Sequence, residues 1–253
     1  MTQLLENMVA LGIRGVRFRY RGARATSGGW VVDVDALDLM PGEQLLLTGG
    51  SGRGKSTLLH LIAGLIDPDQ GRIYVAGEEV HALHGAKRDL FRGRHIGMIF
   101  QTFNLLHGFS AVENVMAPMM FSDLPRREHR RRALELLETL GIDEPERRPD
   151  ELSVGQQQRV AVARALACGP ALVLADEPTA SLDPANAAIA MDLIQQACAE
   201  REIALLCTSH DPTLAPRFER RMDLEELRGE GDGGDEEDGA VAADASGNAG
   251  GRG

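Results

Sequence analysis

The chain has 253 residues, 43% of them hydrophobic and 26% charged, with a formal net charge of −11. These are the proportions of a soluble globular protein of one or two domains, and no apolar run approaches the roughly 18 residues of a membrane span. The charge is uneven: residues 229–253 carry −6 and the remaining 228 only −5, which leaves no basic footprint for nucleic acid, so none is expected as a partner.

The N-terminus has no charged-then-apolar leader, so no secretory signal is expected. The three cysteines, Cys168, Cys198 and Cys207, are scattered and read as reduced, mostly buried thiols. His81 and His84 are spaced three apart but read as solvated surface residues. The chain is therefore expected in the cytosol, or held at a membrane through another protein.

Residues 13–20 and 30–39 are alternating or rich in β-formers, and Gly22 and Gly28-Gly29 separate them, so two antiparallel strands are expected. Residues 42–48 form a short apolar strand entering Gly49-Gly50-Ser51-Gly52-Arg53-Gly54-Lys55-Ser56-Thr57. Glycines at that spacing let backbone N–H groups point at phosphate oxygens without side chains in the way. Lys55 would reach the β- and γ-phosphates, and the Ser56 hydroxyl would ligate Mg²⁺. The helix that follows, with Leu58, Leu59, Leu61, Ile62 and Leu65, aims its positive end at the same anion.

Residues 96–100, 171–175 and 203–207 are short apolar runs, the signature of buried parallel strands. The second delivers Asp176 and Glu177 at the end where open α/β sheets bind ligands. There Asp176 would hold Mg²⁺ and Glu177 would accept a proton from water. The third delivers His210, a candidate γ-phosphate contact.

Between residues 101 and 151 the pattern is helical. Pro125 opens one helix, Ala133, Leu134, Leu137 and Leu140 form its apolar face, and Gly141 ends it. The five arginines between 126 and 132 read as a solvated face. Ser153 caps the helix that follows, so Ser153, Gly155 and Gln156 make a second anion site. Residues 229–253 are almost all Gly, Ala, Asp and Glu and are expected to be disordered.

Taken together these motifs resemble the ATP-binding cassette (ABC) proteins, over about residues 16–227. The resemblance implies a P-loop α/β fold: a mixed sheet core, an antiparallel β subdomain and a helical subdomain inserted at about 102–160, all within residues 1–228. It implies that Tyr20 stacks on adenine, with Phe18 as the competing ring. It makes Gln101 the glutamine that senses Mg²⁺ and γ-phosphate, residues 152–156 the signature, Ser181-Leu182-Asp183 the D-loop and His210 the switch histidine. Two copies would then sandwich two ATP molecules, Ser153 and Gly155 of one completing the pocket of Lys55 in the other, and hydrolysis would drive a membrane permease docked near Gln101.

Residues 96–106 and 112–115 are similar to ATPases of the lipoprotein-releasing and macrolide-exporting group; importers and a cell-division cassette share much of this wording. A soluble or regulatory ABC ATPase is the alternative. Val154 departs from the signature, where a glycine is usual, and hydrolysis is expected to survive it. Phe103, Leu105, Leu106, Phe109, Met116, Met119, Met120 and Phe121 form a patch open to two readings, a seat for a permease helix or burial within the helical subdomain.

Overall fold

The structure is a computed structural model that describes residues 9–21, 29–50 and 52–228. The acidic tail, Gly22, Gly28 and Ser51 lie outside the described residues. In chain order the elements are β1 (Leu11–Phe18), β2 (Val32–Leu39), β3 (Gln44–Thr48), α1 (Lys55–Ile62), β4 (Gln70–Val75), β5 (Glu78–Glu79), α2 (Ala86–His95) and β6 (Ile96–Phe100). There follow α3 (Ala111–Met116), α4 (Arg126–Thr139), α5 (Val154–Leu166), β7 (Leu172–Asp176), α6 (Pro184–Ala199), β8 (Ala204–Thr208) and β9 (Arg220–Asp223).

Parallel and antiparallel pairing are divided between two sheets. One is antiparallel in the order β2-β1-β4-β5, and the other is parallel in the order β6-β7-β8-β3-β9. Strands β3, β7 and β8 at the centre of the parallel sheet are buried on both faces, and alternate side chains serve two different cores. Leu45, Leu47, Leu172, Leu174, Ala204 and Leu206 join the core shared with the antiparallel sheet. Leu46, Val173, Ala175, Leu205 and Cys207 join the core shared with the helices. That is why these runs read as continuous apolar stretches in the sequence.

Helix α1 lies in the first core and packs against β2, β4 and β7. Six of its eight residues are buried, Lys55 among them. Helix α5 is the axis of the second core, packed on α3, α4, α6 and β6. Its small residues permit close approach: a Cβ on Gly97 of β6 would stand 2.3 Å from the Ala165 carbonyl oxygen. Gly97→Ala must therefore push α5 off the sheet, and over-packing of this kind costs about 1–3 kcal/mol. The expected result is a lower denaturant midpoint at unchanged slope; an unaltered midpoint would refute the contact.

Pro125 is the N-cap of helix α4, one position before the first turn in which the sequence places it, and the helix buries Ala133 and Leu137. Gly141 ends it at φ 70°, with Gly141 N–H donating to Glu138 O and Ile142 N–H to Leu137 O, a Schellman closure. Arg126, Arg127, Arg130 and Arg131 are exposed, whereas Arg132 turns in to donate to the Ala167 carbonyl at 2.7 Å. The apolar patch divides: Phe103, Leu105 and Met119 are buried, while Leu106, Phe109, Met120 and Phe121 are exposed. Cys198 and Cys207 are buried and Cys168 half-buried, all three free; burial raises each thiol's pKa, that of Cys198 to about 12.

Candidate active site

Four neighbouring parallel strands, β6, β7, β8 and β3, bring their C-terminal ends to one edge. A cavity of about 330 Å³ lies there, lined by Gly52, Gly54, Lys55, Ser56, Thr57, Gln101, Asp176, Glu177 and His210. Parallel order is what assembles it, since each strand end contributes a side chain or a loop at the same level.

The glycine loop is held in conformations closed to other residues. Gly49, Gly52 and Gly54 have φ of 140°, 75° and 102°. A Cβ on Gly54 would also meet the Val31 carbonyl oxygen at 2.3 Å. Lys55 folds back under the loop, donating to Gly49 O at 2.7 Å and Gly50 O at 3.2 Å, with Glu177 Oε1 3.7 Å away. An ammonium this buried needs such partners. No side chain caps the N-terminus of α1 and its first turn carries no acid, so its N–H groups are open to an anion.

Asp176 Oδ1 accepts from Ser56 Oγ at 3.1 Å and from Thr208 Oγ1 at 2.8 Å. Glu177 stands at φ 48°, a left-handed conformation costing an acidic residue about 1–3 kcal/mol. Its N–H, bonded to Thr208 O at 3.1 Å, holds it there. The twist turns its carboxylate into the cavity, with His210 Nδ1 at 2.5 Å from Oε2. Gln101 follows β6, and its carbonyl accepts from Ser181 Oγ at 3.2 Å. Asp183 caps α6; the hydrogen bond from the Asn186 side chain, then that from its backbone, holds the Asp183 carboxyl below the usual range.

Tyr20, Arg53, Ser153, Gly155 and Gln156 are not among the residues that line this cavity. Ser153 caps α5 in a reciprocal box with Gln156, and Ser153, Val154 and Gly155 are exposed. Strand β1 ends at Phe18, two residues before Tyr20. The Tyr20 ring meets Phe18 edge-on at 5.0 Å and its hydroxyl lies 3.1 Å from Thr57 Oγ1. Arg53 pairs with Glu225 in the turn after β9.

Thr208 supports both acidic residues, a role absent from the motifs above although its place at a strand end signals it. Also absent from them is Arg164 of α5, which donates to the Phe103 and Asn104 carbonyls; no local pattern marks that contact. A second cleft, about 450 Å³ in volume, opens beside β6 and is lined by residues including Phe100, Pro118, Phe121, Arg164 and Cys168.

The ABC transporter family model matches residues 32–180. The chain is 40% identical over 228 residues to a lipoprotein-releasing system ATP-binding protein LolD 2 of Rhodopseudomonas palustris, covering 89% of this chain and 97% of that one. It is 44% identical over 197 residues to the LolD of Nitrobacter hamburgensis, covering 77% and 84%. Among solved structures it is similar to the ATP-binding cassette MJ0796 in a dimeric post-hydrolysis state bound to ADP and Pi. The TM-score is 0.73 and the identity 32%, with 87% of this chain and 96% of that one covered.

Proposed function

This chain belongs to the ABC transporter family as an ATP-binding, ATP-hydrolysing subunit, and we propose that paired copies on the cytoplasmic face of a membrane drive a separate permease that releases lipoproteins or exports similar cargo. One observation carries this reading. Lys55, Ser56, Gln101, Asp176, Glu177 and His210 share a cavity, whereas Ser153 and Gly155 stand exposed outside it. A second anion site apart from the first is accounted for if it closes over the nucleotide of another copy. The relatives named as lipoprotein-releasing suggest the cargo, and the dimeric cassette suggests the pairing. Among the described residues no helix is long and apolar enough to cross a membrane, in keeping with attachment through a permease.

The residues present fit a magnesium nucleotide: an uncapped helix end, a loop open only to glycine at Gly54, and the hard oxygens of Ser56 and Asp176. Gly49, Gly50, Gly52, Arg53, Gly54 and Thr57 would surround the phosphates, with Lys55 as their cation. Ser56, Asp176 and Gln101 would hold Mg²⁺, which when bound neutralises phosphate charge. Glu177 takes the proton of the attacking water. His210 orients that carboxylate and contacts the γ-phosphate. Tyr20 stacks on the base, and Ser153, Gly155 and Gln156 reach the triphosphate of the second copy. In this reading residues 1–228 are the motor, with the helical part at about 102–160, and residues 229–253 are a solvating tail.

The permease would seat in the cleft beside β6, where Phe121 is exposed. Affinity purification of the tagged chain from detergent-solubilised membranes should recover a multi-spanning partner, and Phe121→Asp should lose it. Recovery of soluble proteins alone would overturn the transporter role.

A further inference from the structure

The loop after β6 is tied at three points. The Ser181 hydroxyl donates to the Gln101 carbonyl. Further on, the wholly buried Asn114 accepts from Leu106 N–H at 2.7 Å and donates to the carbonyls of Leu106, Phe109 and Ser110. Between them stands Arg164, whose Nη1 donates to Asn104 O and Nη2 to Phe103 O, each at 2.6 Å.

The middle tie lies at the most strained part of the loop. Phe103 and Asn104, at φ 57° and 47°, are the one consecutive pair of non-glycine residues with positive φ among the described residues. Such a conformation persists only where the surroundings over-determine it. The Phe103 ring is buried in the helical core, and the guanidinium fork closes on the carbonyls of Phe103 and Asn104. A planar fork suits two acceptors on successive residues better than the single ammonium of lysine does. Burial also pushes the Arg164 pKa below its ordinary value, so the cation depends on those carbonyls as partners.

We propose that Arg164 is a positioning residue for hydrolysis: its grip on Phe103 and Asn104 holds the turn that presents Gln101 to the phosphate cavity. Arg164 also lines the cleft beside β6. The inference rests on the role given above to Gln101 and goes beyond it in naming what sets that residue's position.

The test uses the full chain and the variants Arg164→Met, Arg164→Lys and Gln101→Ala. In hydrogen–deuterium exchange without nucleotide, Arg164→Met should raise exchange across residues 101–106 at least tenfold and leave α1 and the parallel strands unchanged. In ATP hydrolysis it should lower kcat about tenfold with KM for ATP within twofold, because Lys55 and its loop are untouched. Arg164→Lys should show the same split to a smaller degree, and it serves if the methionine variant does not fold. Wild-type exchange in this loop, or a rise spread over the whole chain with KM and kcat failing together, overturns the inference. Gln101→Ala separates the two levels: if it leaves kcat unaltered, the role of Gln101 itself is wrong. If it lowers kcat while the Arg164 variants do not, only the positioning role falls.

Discussion

Replacing Glu177 by glutamine is expected to lower ATP hydrolysis by about 10²–10⁴-fold, the usual contribution of a positioned general base. At 1.36 kcal/mol per decade this corresponds to about 3–5 kcal/mol of barrier. The substitution keeps the side chain's length and shape, so the left-handed backbone at Glu177 and its N–H bond to Thr208 should survive. What is lost is the carboxylate that faces His210 at 2.5 Å and Lys55 at 3.7 Å. Nucleotide binding should persist, because the glycine loop, the end of α1, Ser56 and Asp176 remain. Binding without turnover should hold two copies together, so the variant should elute as a dimer in ATP and Mg²⁺ and as a monomer without them. A monomer under both conditions would contradict the shared pocket, and near-normal turnover would remove Glu177 from the chemistry.

Lys55→Ala should abolish measurable hydrolysis by a different route, the removal of the cation that clamps the phosphates, with weaker nucleotide binding beside it. Lys55 is 5% exposed and is the cation beneath the loop, bonded to the Gly49 and Gly50 carbonyls. Removing it leaves those acceptors and the Glu177 carboxylate facing inward without their positive partner. A buried hydrogen bond to a charged group is worth about 1.5–3 kcal/mol, so a fall in ATP affinity of roughly 10–100-fold is expected by calorimetry. Thermal unfolding with and without ATP supplies a second readout, since ligand stabilisation scales with affinity. The wild-type chain should gain stability with ATP and the variant should gain less, by about 1.4–2.7 kcal/mol at saturating nucleotide. Unchanged turnover in Lys55→Ala would refute the assignment of the phosphate cradle.

Most of the site was legible because its residues sit in short, local motifs. The loop from Gly49 to Thr57, the pair Asp176-Glu177 after a buried run, and Ser153 three residues before Gln156 each state their geometry within a few positions. Four of the five parallel strands, β3, β6, β7 and β8, were legible for the same reason, since burial on two faces leaves an unbroken apolar run such as Leu172-Val173-Leu174-Ala175. Elements without that signal were not anticipated. Strands β4 and β9 read QGRIYV and RRMD, and helix α2 buries only Phe91, so exposed polar faces hid their periodicity.

The amino-acid order alone thus determined the family and pointed to the glycine loop and the acidic pair that the structure brings to one cavity, because the backbone of a glycine loop and the delivery of a carboxylate are properties of adjacent residues. Only the tertiary structure decided which groups meet across the sheet edge: Thr208 under Asp176, His210 against Glu177, Arg164 clasping the turn after Gln101. It alone also divided the apolar patch, burying Phe103 and Met119 while leaving Phe121 at the surface. These contacts join residues up to dozens of positions apart. Their partners are chosen by strand order and helix packing, and such choices leave no local trace in the chain.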